Sequence, residues 1–468
     1  MSVRVGAGRE RHRALVGARS KPPSPNAMAR LEALLNANRR GKGTGIYSIC
    51  SANRFVLEAG MLQAKRDDSL LLIEATSNQV NQFGGYTGQT PQDFVRFVRG
   101  IAHSLKMRWD RVILGGDHLG PHVWRNTGSK TAMEKARDLV AEYVRAGFTK
   151  IHLDATMPCL DDVVGPNEPL PEEVVSARAA ELCEAAESTW RAMGRSAVAP
   201  RYVIGTEVPI PGGEQAGSRA PEITSTKNLS RTLQMAEEAF RGRGLQEAWR
   251  RVIAVVVQPG VEFGDETVFH YDARKAKQLS RYCTRGWSGV YEAHSTDYQA
   301  KSTLRQMVRD HFAILKVGPW LTFGFREAIF ALEAIEGEMM CLRSGIAASA
   351  VQQALEKAML ENPAYWKSYY HADAGPSRFA RRFSYSDRIR YYWPNVAVAA
   401  AVQRLIDNLK ANPAPISLLS QYLPRQAEEV RCGRLENRPE ELIRHKILEV
   451  IDQYAYACGV RREDEAAC

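Results

Sequence analysis

No apolar stretch in this chain approaches the ~20 residues that a membrane-spanning helix needs, and the N-terminal segment lacks the apolar core of a secretory signal. No Cys-x-x-Cys occurs. The eight cysteines, at positions 50, 159, 183, 283, 341, 432, 458 and 468, are scattered through 468 residues, so a disulfide framework is not expected. Reduced thiols and a cytoplasmic location are the expectation. No Gly-x-Gly-x-x-Gly follows the first apolar run, which weakens a dinucleotide-binding reading. No Gly-x-x-x-x-Gly-Lys-[Ser/Thr] or kinase signature set is present to support phosphoryl transfer from ATP. No stripe of basic and aromatic residues marks a nucleic-acid surface.

The net charge is +10, unevenly placed. Residues 1–28 carry Arg4, Arg9, Arg11, Arg13, Arg19 and Lys21 against Glu10 alone, and run into Lys21-Pro-Pro-Ser-Pro25, a string that resists helix and sheet. This tail is expected to be disordered, with Met28 an alternative start. The remaining chain has ordinary globular composition, 44% hydrophobic and 25% charged.

Eight short apolar runs recur over residues 45–323: Gly45–Ser51, Leu70–Ser77, Arg111–His118, Lys150–Met157, Tyr202–Pro209, Val252–Pro259, Ser288–Ser295 and Phe312–Phe323. Continuous apolar runs suit strands buried on both faces, as in a parallel sheet. Helical patterns separate them. Thr90-Pro-Gln-Asp93 opens one with an N-cap, a proline at the first helical position and an early acid; Pro171–Met193 is another, rich in alanine and glutamate. Polar tips stand on nearly every strand, whereas an open sheet concentrates its chemistry at a switch point. The reading is therefore a (β/α)8 TIM barrel over residues 29–340, with a C-terminal helical appendage over 341–468 packed on it. The aromatic cluster Trp366, Tyr369, Tyr370, Tyr391, Tyr392 and Trp393 is expected to pack that appendage onto the barrel; an interface is the alternative.

Chemistry collects at the strand ends. Asp117-His118 closes the third strand between glycines. His152-Leu-Asp154 and Glu292-Ala-His294 repeat an i, i+2 spacing that places both side chains of each pair on one side of a strand. Glu207 tips the fifth strand and Glu74 lies in the second. Three imidazoles and several carboxylates on one rim match a catalytic divalent-metal site with an open position. Zinc suits these donors first, with magnesium, manganese or cobalt as alternatives. Lys316-Val-Gly318 ends the eighth strand; its lysine reads as a charged group near a phosphate, or as a Schiff-base former if desolvated. Asn78-Gln-Val-Asn-Gln82 offers four side-chain amides for a polyhydroxylated ligand, and Arg388 with Arg390 suits a phosphate clamp.

Longer strings carry a resemblance: Glu74-Ala-Thr-Ser-Asn-Gln-Val-Asn-Gln-Phe-Gly-Gly-Tyr-Thr-Gly88, Gly115-Gly-Asp-His-Leu-Gly-Pro121, Ile204-Gly-Thr-Glu-Val-Pro209, Val257-Gln-Pro-Gly-Val-Glu-Phe263 and Tyr291-Glu-Ala-His-Ser-Thr-Asp-Tyr-Gln299. From about Met28 to Gly459 the chain resembles the Z-type subunit family of class II D-tagatose-1,6-bisphosphate aldolase. The resemblance implies a TIM barrel, a ketohexose phosphate ligand and a place in galactitol or tagatose catabolism. It leaves two activities open: metal-dependent 4-epimerisation of D-tagatose 6-phosphate to D-fructose 6-phosphate, which the polar rim favours, or a non-catalytic subunit stabilising a separate class II aldolase chain. On the first, His118, Glu207 and His294 hold the metal with His152 as a fourth ligand. Asp117 is the base, and Asp154 or Glu292 returns the proton. Ser51, Glu74, Asn78, Gln79, Lys316, Gly318 and Arg388 bind substrate. A homo-oligomer remains open.

Overall fold

The computed structural model describes residues 25–165, 168–194, 196–205, 220–340, 347–370 and 373–460. Eight of the apolar runs become strands: β1 Ile46–Ile49, β2 Leu71–Thr76, β3 Val112–Leu119, β4 Lys150–Leu153, β5 Arg201–Ile204, β6 Val252–Val256, β7 Val290–Ala293 and β8 Phe312–Val317. Each pairs in parallel with the next and β8 pairs with β1, which closes the barrel. The helix Pro91–Ser104 starts as its sequence predicts: Thr90 caps the backbone N–H of Asp93, whose carboxylate accepts from the Thr90 backbone N–H.

Two apolar clusters hold the barrel. The larger lies between strands and outer helices. The smaller lies inside the barrel and beneath it, where Ala27, Met28, Leu31 and Leu35 of the helix Pro25–Arg39 meet Leu72, Ile113, Val203, Ala254 and Ile314. Ala27 and Met28 are buried, so the folded chain takes in the last residues of the stretch read as tail. A two-stranded ribbon, Glu262–Phe263 with Val268–Phe269, interrupts the loop after β6 and was not anticipated.

The C-terminal helices pack on the barrel, and the last does more. Pro439–Ala457 lies against the helix Arg54–Arg66 after β1, the helix Lys301–Arg309 after β7 and the helix Pro319–Met340 after β8. It fills the place in the outer ring between the first and seventh helices. Pro319–Met340 is sandwiched between it and the helices Val351–Glu361 and Val396–Ala411. The approach to β1 and the end of this helix are tied together: the Gly45 N–H donates to the Cys458 carbonyl at 3.0 Å, and Arg305 donates to the carbonyls of Gly43 and Ala457. The buried Tyr454 hydroxyl donates to the Thr296 carbonyl at 2.8 Å. Tyr454→Phe is expected to lower stability by about 1–2 kcal/mol, read from chemical denaturation, since it removes only the hydroxyl and its hydrogen bonds to the Thr296 carbonyl and hydroxyl.

Candidate functional site

The strand ends build two stacked polar layers. In the deeper one, Glu74 of β2 accepts from the Ser48 hydroxyl at 2.8 Å and from the Lys316 ammonium of β8 at 2.7 Å. Lys150, the first residue of β4, bridges Glu74 and Glu292, each at 2.8 Å. Lys316 also reaches Asp117 at 2.9 Å. Gly115 stands opposite Glu74 in the β2–β3 register, and a Cβ there would come within 2.7 Å of the Glu74 side chain; the missing side chain makes room for the carboxylate. Burial alone would lower Lys150 and Lys316 and raise Glu292. The opposed charges outweigh it, lifting both ammonium groups and holding Glu292 well below the usual carboxylate range. Lys316 is thus a paired ammonium, which disfavours it as a Schiff-base nucleophile.

The upper layer holds three imidazoles, of His118, His152 and His294, with ring centres 4.9–5.2 Å apart. Strict alternation would send Asp117 and His118 to opposite faces. A register break between Gly116 and Leu119, with His118 at φ +48°, turns both toward the site. Ser295, just past β7 and lining the same cleft, also has a left-handed φ of +52°. Gly120 lets this turn reach β4: a Cβ would fall 1.6 Å from the Asp154 carbonyl oxygen.

His118 pairs through Nδ1 with Asp154 at 2.7 Å, while Asp154 also accepts from Thr156. Burial pulls the imidazolium of His118 down, but Asp117 and Asp154 together raise it above the ordinary histidine value. His294, beside Glu292 at 3.1 Å, is carried by burial down to about 4 and is neutral. His152 pairs through Nδ1 with Asp117 at 3.0 Å, and its Nε2 is buried without a partner among the described residues. An imidazole held by a carboxylate on one nitrogen, with the other free to face an ion, is the usual arrangement of a metal-ligating histidine. Asp117, His152, Glu292 and His294 each offer one ligand atom, all within 4.8 Å of one another, so the residues present fit a divalent cation.

This grouping differs from the ligand set expected from the sequence. His152 and His294 are in it; His118 is instead engaged by Asp154, and Glu207 lies outside the described residues. Asp117 and Glu292, expected as base and acid, sit within the ligand cluster. Asn78, Gln79, Lys316 and Gly318 line one cleft with Asp117, His118 and His294. Glu74 does not line it: it is the fully buried counter-ion of two lysines. Ser51 faces an adjoining smaller cavity and accepts from the Asn53 N–H. Arg388 turns away, its guanidinium 3.0 Å from the centre of the Tyr369 ring, and its neighbours Arg390 and Tyr391 enter the cleft instead. At the end of β8 the N–H groups of Gly318 and Trp320 are taken by the Asp297 carboxylate, at 3.1 and 2.8 Å. Burial raises Asp297 to about 6.

Lys150 was missed, although the spacing that selected His152 and Asp154 runs back to it: Lys150-x-His152-x-Asp154 puts all three on one side of a strand. Phe263 and Asp297, also in the cleft, gave no comparable signal.

A closed parallel barrel with an acid–imidazole cluster at its carboxyl-side mouth is a TIM barrel with its polar site where such barrels carry chemistry. Residues 31–459 match the family described as D-tagatose-1,6-bisphosphate aldolase subunit GatZ/KbaZ-like, and the chain belongs to that family. It is 48% identical to the D-tagatose-1,6-bisphosphate aldolase subunit GatZ of Escherichia coli O1:K1 / APEC, over 92% of this chain and all of that one. The GatZ subunit of Escherichia coli strain UTI89 / UPEC is equally similar. Among solved structures, the chain superposes with a TM-score of 0.79, at 43% identity, on a Sinorhizobium meliloti 1021 protein described as a "probable tagatose 6 phosphate kinase", covering 88% of this chain and all of that one. Among the described residues, no helix is long and apolar enough to cross a membrane.

Proposed function

We propose that this chain serves sugar-phosphate catabolism as the Z-type subunit of a tagatose-1,6-bisphosphate aldolase, working beside a separate catalytic aldolase chain. The observation that carries this is its similarity to GatZ subunits along their whole length. Purified with a catalytic class II aldolase chain, it is expected to co-elute and to raise that chain's activity and thermal stability. Separate elution with no effect on either would dismiss the subunit role.

A second reading, 4-epimerisation of D-tagatose 6-phosphate within the chain's own cleft, is favoured by one feature. A scaffold gains nothing from a buried, bare imidazole nitrogen amid carboxylates, because unpaired buried polar groups cost stability. C4 of a 2-ketose is β to the carbonyl and carries no acidic hydrogen, so inversion there proceeds by cleaving and remaking the C3–C4 bond. Cleavage begins with loss of the C4 hydroxyl proton. His118, oriented through Nδ1 by Asp154, would in its neutral form take that proton at Nε2 and return it after the aldehyde half has turned its other face. Asp117, tied to Lys316 and His152 and held well below the usual carboxylate range despite burial, is a poor base, so the proton role passes from it to the His118–Asp154 pair. A divalent ion held by Asp117, His152, Glu292 and His294 would supply Lewis-acid stabilisation of developing negative charge. Incubated with tagatose 6-phosphate and a divalent metal, the chain is expected to yield fructose 6-phosphate by NMR, and EDTA to stop it. Turnover indifferent to EDTA would remove the metal from this account.

A further inference from the structure

We infer that Arg390 and Tyr391, on the short 3-10 helix Arg388–Tyr392, form an oxyanion-binding wall of the cleft facing the β2 loop, and that its ligand is the terminal phosphate of a ketose phosphate. The identity of the sugar rests on the function proposed above; the anion wall does not.

Charge balance in the cleft points there. Lys316 is neutralised by Glu74 and Asp117. Arg390 has no carboxylate at ion-pair distance among the described residues. Its Nη1 donates to the carbonyls of Ser386 and Asp387, and its Nη2 to the Tyr391 hydroxyl at 3.0 Å. The adjacent acid, Asp387, is taken by Arg326 at 3.1 Å and Thr322 at 2.6 Å. A second guanidinium lies close by: Arg388, 2% exposed, donates to the Tyr365 carbonyl and lies over the Tyr369 ring, with no carboxylate at ion-pair distance among the described residues. Neither guanidinium is ion-paired at contact distance among the described residues, and a poorly solvated cation without such a pair is costly; of the two only Arg390 lines the cleft, and an anion there relieves its cost.

The surroundings suit phosphate. Tyr391 is framed by the stacked ring of Tyr365 and the edge-on ring of Tyr86, each 4.8 Å away. Burial pushes the Tyr391 phenol up, but the two arginines outweigh it and hold it below the usual value, which strengthens it as a donor. Asn78, across the cleft, makes no side-chain hydrogen bond among the described residues. Barrels often hold phosphate at the loops after strands seven and eight. Here Asp297 already occupies the N–H groups of Gly318 and Trp320, so a phosphate there would meet a carboxylate. The guanidinium fork of Arg390 is the better seat.

The test compares tagatose 6-phosphate, unphosphorylated tagatose and inorganic phosphate by calorimetry and 31P NMR, on the full chain and on Arg390→Gln. The wild type is expected to bind the phosphorylated ketose more tightly than the free one. Arg390→Gln should weaken tagatose 6-phosphate and inorganic phosphate by about 10–100-fold, the loss expected for a charge-assisted hydrogen bond, and leave free tagatose unchanged. Unchanged affinity for both phosphates would overturn the wall. If neither ketose binds the wild type while inorganic phosphate binds in an Arg390-dependent way, the sugar assignment fails and the wall stands. Should Arg390→Gln fail to fold by circular dichroism, Arg390→Lys decides: it keeps the charge and loses the fork, so phosphate binding at least about 5-fold weaker is expected, and equal binding overturns the inference.

Discussion

Lys150→Met is expected to destabilise the protein by about 3–5 kcal/mol, the usual cost of removing one partner from a buried ion pair. Lys150 is fully buried and lies 2.8 Å from both Glu74 and Glu292, each of them also fully buried. Without it, two carboxylates face each other inside the barrel, and Lys316 can serve only in part: it is 2.7 Å from Glu74 but 4.0 Å from Glu292. Methionine fills most of the volume, so the loss reports charge rather than a cavity. Urea unfolding at neutral pH measures it, and adding Glu292→Gln to Lys150→Met should recover part of the loss. A single-mutant change under about 1 kcal/mol would mean that the carboxylates do not depend on Lys150. The pH dependence has a definite sign. Burial would raise Glu292, but Lys150 and Lys316 hold it below the ordinary range. Its contribution is therefore present above the unfolded-state value of about 4.3 and is lost as pH falls toward the depressed folded value. Lys150→Met should flatten that acid limb.

Strand positions were legible because a barrel strand must be apolar on both faces, and few loop segments are. The polar tips were legible for the complementary reason: ionisable groups interrupting such runs are costly unless they have a task. The pairing among them was not. Alternation places His152 and Asp154 on one side of β4, but it cannot say that His152 meets Asp117 while Asp154 meets His118, because those partners come from β3 through a register break. Nor does residue type separate a cleft-lining acid from a core counter-ion: Glu74 and Asp117 stand in similar strings, yet only Asp117 lines the cleft. Arg388 and Arg390 are two residues apart on a short 3-10 helix, and which one enters the cleft depends on the packing of Tyr365 and Tyr369. The ring-completing role of Pro439–Ala457 was hidden for another reason. Its apolar pattern shows that a helix packs, while its partners lie hundreds of residues away in sequence.

His152→Ala and His118→Ala are expected to part company, and the difference separates cation binding from proton transfer. His152 offers a bare buried Nε2 within the four-group cluster; His118 stands outside that cluster, engaged by Asp154. Removing His152 should weaken a bound divalent cation by at least about 100-fold, the upper end of what loss of a group merely supporting a ligand costs. Elemental analysis after gel filtration should then find the metal gone. The midpoint of thermal unfolding should lose its sensitivity to EDTA, because a ligand that binds only the folded state stabilises in proportion to its affinity. His118→Ala should keep both the metal and the EDTA-sensitive midpoint. Its deficit should appear in turnover of tagatose 6-phosphate, lowered by about 10²–10⁴-fold for loss of an acid–base group. If both variants lose the metal together, His118 is a ligand after all and the proton role must move elsewhere. If neither does, the bare nitrogen of His152 has some other purpose, and the cleft acts on sugar phosphates without a cation at these four residues.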